Sequence, residues 1–139
     1  MLSEDIMRVR CIREEPTREQ AERMRIFYRG GKQTFGVIKG TEYLVFGLRV
    51  VDGVTLVDIA QEFEQLVPVP LWLFEITDHR VPSLWEARQN EDGSLLVWPR
   101  SFFDREYYHE DLLEKVPSVI DDFRRVRRRL ELEGTLAAE

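Results

Sequence analysis

One cysteine in 139 residues, Cys11, excludes an intramolecular disulfide. It stands in Arg8-Val9-Arg10-Cys11-Ile12, which alternates like a strand, so a buried and inert thiol is expected there rather than a nucleophile. Long apolar runs are absent too. None approaches the ~20 residues that cross a bilayer. Met1-Leu2-Ser3-Glu4-Asp5 puts no basic stretch ahead of an apolar one, so no signal peptide is read. The expectation is a cytoplasmic chain with no membrane association.

Catalytic and cofactor motifs are missing as well. There is no Gly-x-Ser-x-Gly. Gly30-Gly31-Lys32-Gln33-Thr34 lacks the spaced glycine ahead of the Gly-Lys pair, and it follows a predicted helix where a phosphate loop follows a strand. The histidines are His79 and His109, and neither sits in a His-x-x-x-His pattern. In His109-Glu110-Asp111, adjacent helical side chains diverge, so a surface role is expected. No catalytic residue, cofactor or metal site is assigned. Net positive charge is also lacking: the formal charge is −6. Nucleic-acid binding draws its affinity from neutralised phosphates, so the balance argues against it. An acidic chain suits a basic protein partner, or simply solubility.

What is present is enough for a core. Hydrophobic residues make up 43%, with 8 Phe, 4 Tyr and 3 Trp, which excludes disorder and fits a single domain over 1–139. Residues 6–13 alternate between a basic and an apolar face, as a half-buried strand does. Thr17 and Gln20 have capping-box spacing, and 17–28 is rich in helix formers up to Gly30-Gly31. Residues 43–51 and 54–61 form a predicted hairpin around Asp52-Gly53, a type I′ signal. Its register puts Val51 opposite Val54, Leu48 opposite Val57, Gly47 opposite Asp58 and Phe46 opposite Ile59. Prolines at 68 and 70 restrict 66–71 to an edge strand or an extended crossover, and 71–76 reads as a buried turn or strand. A second hairpin spans 84–89 and 94–98. Ser101 is read as the cap of a short helix to Tyr108. Pro117 opens a last helix with Val119, Ile120, Phe123, Val126 and Leu130 on one face, ended by Gly134, with 135–139 as a loose tail. The predicted fold is α+β: a small, strongly bent antiparallel sheet with a short N-terminal helix and a C-terminal helix packed on it. An SH3-like partly open barrel is the favoured form, and an ordinary helix-covered sheet is the alternative.

Arg124-Arg125-Val126-Arg127-Arg128-Arg129 is the one basic cluster. It would serve a nucleic-acid-associated SH3-like domain. However, pairs Asp121–Arg125, Arg127–Glu131 and Arg129–Glu133 at helical spacing favour a self-paired, solvated face. His109 or His79 with carboxylates would serve a small enzyme. The segment 101–111 mixes aromatics with acids, and Asp104, Glu106, Tyr107, Tyr108, His109, Glu110 and Asp111 are the candidate partner-binding residues.

Several phrases also carry a likeness. Val67-Pro68-Val69-Pro70-Leu71, Leu73-Phe74-Glu75-Ile76, Trp85-Glu86-Ala87-Arg88, Trp98-Pro99, Tyr107-Tyr108-His109 and Asp122-Phe123-Arg124-Arg125-Val126 resemble small bacterial immunity proteins of polymorphic or contact-dependent toxin systems. The likeness runs over roughly residues 35 to 130. It implies a non-enzymatic inhibitor that binds one basic toxin domain. Such families vary in their binding residues, so no residue role is carried over.

Overall fold

The computed structural model describes residues 7–23, 35–61 and 65–137. It is an α+β fold in which an open seven-stranded antiparallel sheet is backed by helices. The strands are β1 (Arg8–Cys11), β2 (Glu42–Val51), β3 (Val54–Gln61), β4 (Gln65–Pro70), β5 (Phe74–Asp78), β6 (Trp85–Gln89) and β7 (Leu95–Pro99). The helices are α1 (Arg18–Arg23), α2 (Arg100–Phe103), α3 (Tyr108–Leu113) and α4 (Pro117–Ala137). The order is β4-β3-β2-β1-β5, with a 3-10 turn at Leu71–Leu73 between β4 and β5, and the sheet does not close between those two strands. The β6–β7 hairpin joins it through β7, which pairs with the second half of β2.

Local chemistry accounts for most of these elements. Val9 and Cys11 in β1, and Met7 just ahead of it, turn inward while Arg10 reaches out to pair with Glu75. The capping box closes in both directions: Gln20 N donates to Thr17 Oγ1 at 3.2 Å, and Thr17 N donates to Gln20 Oε1 at 2.9 Å. Helix α1 is described only as far as Arg23, so the expected continuation to residue 28 and its Gly30-Gly31 stop lie outside the described residues. Asp52 and Gly53 both have positive φ, 49° and 77°, as a type I′ turn requires. That turn sets Val51 against Val54, Leu48 against Val57 and Gly47 against Asp58. β4 carries its two prolines at the end of the strand order, where a missing N–H costs no central ladder bond.

The expected Phe46–Ile59 pairing does not occur. Val45 is the partner of Ile59, and Phe46 is an extra residue on β2 at a bulge. The bulge lets Val45 and Leu48 point into one core while Phe46 and Gly47 both face the helices. Phe46 stacks on Phe123 at 5.0 Å. Two cores result. Val9, Val45, Val57, Ile59 and Leu73 fill the bent sheet, whereas Phe46, Phe102, Leu112, Phe123 and Leu130 lie between the sheet and α2–α4.

The helical end departs from the sequence reading in three places. The expected helix over 101–108 is split, because Asp104–Tyr107 turn between α2 and α3, and Ser101 lies inside α2 rather than capping it. Packing drives the split: Phe102 and Tyr108 stack at 4.2 Å across the turn, which a continuous helix forbids at a spacing of six. Helix α4 runs through Gly134 to Ala137, so Gly134 is not its end and 135–137 is not a loose tail. A mid-helix glycine costs only about 1 kcal/mol, and helix-forming neighbours outweigh it. Finally, Arg125 meets Asp122 at 4.0 Å rather than Asp121, while Arg127 meets Glu131 at 3.5 Å as expected. The Arg129–Glu133 pair falls outside the described side chains. Among the described residues, no helix is long and apolar enough to cross a membrane.

Candidate functional site

Asp58 is the focus of the interface between sheet and helices. It points from β3 toward the helices and is completely buried. A buried carboxylate is costly unless it is paired and hydrogen-bonded. Arg49 Nη2 donates to Asp58 Oδ1 at 2.9 Å, Trp98 Nε1 donates to Oδ2 at 2.8 Å, and His109 Nε2 stands 3.6 Å from Oδ1. Burial pushes the Asp58 carboxyl up, but the imidazole of His109 and the guanidinium of Arg49 outweigh it, so its pKa falls below the ordinary aspartate value.

Strand geometry makes this convergence. Gly47 and Arg49 are two apart on β2 and share the face toward the helices. Arg49 pairs with Leu96 of β7, which brings Trp98 beside Gly47. A Cβ on Gly47 would lie 2.4 Å from Trp98 Cδ1 and 2.9 Å from the Val97 carbonyl oxygen. Glycine is required there so that the indole can lie across β2 and reach Asp58. The Trp98 ring then takes Arg49 at 5.3 Å on one side and packs with Phe103 at 5.2 Å and His109 at 4.9 Å.

Above this cluster, between β4 and α3, lies a depression of about 350 Å³. It distributes the sequence-derived candidates unequally. Glu106 and Glu110 line it and are exposed. His109 lines it from below, with only 14% of its side chain accessible. Tyr107 is 59% exposed, as is Leu113 on the depression wall. Tyr108 is buried, and its hydroxyl donates to Asp122 at 2.8 Å. Burial and the Asp122 carboxylate hold this phenol well above its usual range, so it stays a donor. Asp111 is taken by Arg105 at 2.6 Å. Asp104 is exposed and lines a different hollow.

The surface role expected for His109 is corrected by its contact with Asp58. The chain fold, not helical neighbours, supplies its carboxylate. His79 is exposed at the end of β5. Among the described residues, no serine, threonine or cysteine lines the depression. No grouping of three His, Cys, Asp or Glu able to hold a metal occurs among the described residues.

Comparison with known proteins gives no match: no family model, curated protein or solved structure matches this chain.

The other hollow is larger, about 530 Å³, and lies between α2, β6 and α4. Arg100, Arg125 and Arg129 line it, but so do Glu86, Asp104 and Asp122, an equal number of opposite charges. It therefore presents no net field to a charged ligand. The Asp58 cluster was hidden from sequence reasoning except for one sign, the Gly47–Asp58 pairing, which set a glycine and an acid opposite each other in an otherwise apolar hairpin.

Proposed function

We propose that this chain is a non-enzymatic protein-binding module, an immunity-type inhibitor that neutralises a partner toxin through the acidic and aromatic face formed by residues 104–113. The observation that carries this reading is the setting of Tyr107 and Leu113. Both are more than half exposed; Leu113 lines a concavity whose described exposed acids are Glu106 and Glu110, and Tyr107 follows Glu106 in the chain. An exposed tyrosine next in the chain to a residue lining a preformed hollow has the composition of an interface anchor. The buried Asp58 cluster supports it by fixing the floor of the hollow, because a rigid face binds without an ordering cost. The net charge of −6 favours a basic partner and fast, salt-sensitive association.

Co-expression with the toxin encoded beside it is expected to restore growth, and the purified pair to form a one-to-one complex. The double substitution Tyr107→Ala with Glu110→Lys should weaken that complex at least about tenfold, ~1.4 kcal/mol. A neighbouring gene product that is harmless, or whose toxicity this chain leaves unrelieved, contradicts the proposal.

A further inference from the structure

His109 carries a buried nitrogen that the fold leaves without a hydrogen bond. Its Nε2 is buried, and among the described residues it has no hydrogen-bond partner. Asp58 Oδ1 stands 3.6 Å away, beyond hydrogen-bond reach but close enough for an ion pair. Leaving a buried polar atom unsatisfied is costly. The chemistry of the ring decides what would satisfy it. A neutral imidazole has one N–H, on either nitrogen, whereas a protonated imidazole has a donor on both. Protonation therefore guarantees a donor at Nε2 and adds attraction to the carboxylate. Asp58 Oδ1 takes Arg49 Nη2 at 2.9 Å, and a carboxylate oxygen has room for a second donor.

The charges around the ring leave Asp58 as its counterpart. Asp58 comes from β3 and Arg49 from β2, the turn before α3 brings Arg105 and Glu106, and α3 itself brings Glu110. Trp98 of β7 and Phe102 of α2 pack on the ring without charge, at 4.9 and 5.8 Å. The β4 residues that line the same depression, Gln65, Leu66 and Pro68, are uncharged. Arg105 is held by Asp111 at 2.6 Å, and on the α4 side Asp122 is engaged by the Tyr108 hydroxyl at 2.8 Å. Asp58 alone is completely buried. The His109 contact is the leading influence that keeps its carboxyl ionised against burial, ahead of Arg49.

Helix α3 is built to respond. It has six residues, and Tyr108 ties it to α2 and α4 through the Phe102 stack and the Asp122 hydrogen bond. On its other side, the depression of about 350 Å³ leaves space between α3 and β4. Closing the gap from 3.6 Å to the ~2.8 Å of a charge-assisted hydrogen bond is a move of under about 1 Å. We propose that His109 is a pH-operated latch: protonated, it bonds Asp58 and draws α3 onto the sheet, and neutral, it releases α3. The added bond exists only in the protonated form, so the closed position is favoured on the acid side of the transition and loses that advantage on the alkaline side. The latch belongs to the chain itself and does not depend on the inhibitor reading. Glu106, Glu110 and Leu113 line the depression together with His109, so the latch sets the shape of that face.

Histidine is the one side chain that ordinarily changes charge between pH 5 and 8, and the chain has two, His79 and His109. The full chain is followed by NMR across that range through the ring resonances of His109, the Trp98 indole N–H and the α3 amides. The indole donates to the other oxygen of Asp58 at 2.8 Å and reports any change there. The Trp98 resonance is expected to move with the same midpoint as the His109 ring. Protection of the α3 amides, corrected for the intrinsic exchange rate, should be at least about tenfold higher at the acid end. His109→Gln should abolish both changes, and His79→Gln should preserve both, because His79 is exposed. Trp98 and α3 signals that stay flat while His109 titrates, or that persist in His109→Gln, overturn the latch. Should His109→Gln fail to fold, His79→Gln decides alone: it leaves a single histidine, so changes that survive in it belong to His109, and changes that vanish in it end the proposal. Toxin binding enters none of these readouts, so a failed complex leaves the latch standing.

Discussion

Asp58 and Gly47 together order the sheet face under the helices, one by accepting from Arg49 and Trp98 and the other by making room for the Trp98 indole. Asp58→Asn leaves Arg49 and His109 facing a neutral amide inside the protein, and the loss of a partner from a buried ion pair costs about 3–5 kcal/mol. Urea unfolding should measure a loss of that order. The sign of the pH dependence follows from the lowered pKa of Asp58. A group whose pKa is lower folded than unfolded, where it is about 3.9, contributes stability that is fully present above the unfolded value. That contribution is lost as pH falls through the folded value. The parent should therefore lose stability more steeply than Asp58→Asn in acid below about pH 4; parallel pH profiles would contradict this assignment. Gly47→Ala should cost about 1–3 kcal/mol by overpacking and displace the Trp98 indole, read as a change in its fluorescence and N–H resonance. The pairing of Gly47 with Asp58 was legible in the sequence because a two-residue turn fixes every register position that follows it. The arrival of Trp98 and His109 was not, since they lie 40 and 51 positions from Asp58 and nothing local encodes their approach.

At the scale of elements, short-range signals read well and competing ones did not. The capping box, the type I′ turn, the proline-bearing edge and the apolar stripe of α4 each rest on one local rule, and each appears as expected. The bulge at Phe46 escaped because alternation cannot reveal that both faces of β2 are covered. Once α4 packs on the outer face, an extra residue that turns Phe46 toward Phe123 buries more apolar surface than strict alternation would. The break between α2 and α3 escaped because helix propensity over 101–108 is adequate, and the deciding contact is the Phe102–Tyr108 stack. At the far end of α3, Lys115 takes a left-handed conformation with φ 61°, the position where helices commonly place glycine. Lys115→Gly should raise stability by about 1 kcal/mol. Thermal unfolding should show a higher midpoint, and a lower one would mean that the lysine side chain has a compensating contact.

For the whole molecule, the fold class was legible because hairpin spacing and a C-terminal amphipathic stripe together allow few arrangements. The site was half legible. The segment 104–111 was identified from its composition of acids and aromatics. Folding then divided it, sending Tyr108 inward, pairing Asp111 with Arg105, and leaving Tyr107 exposed and Glu106 and Glu110 outward on one hollow. Composition names the residues available to a surface, and only the chain fold decides which remain unpaired. The central claim is that a partner docks on this face. Hydrogen exchange of the full chain, free and mixed with its partner toxin, tests it most directly. The account predicts that the toxin slows exchange over residues 104–113 and the facing β4 (Gln65–Pro70), and leaves β5 (Phe74–Asp78) unchanged. Slowing confined to β5 or to the arginines of α4, or no slowing anywhere, would contradict it.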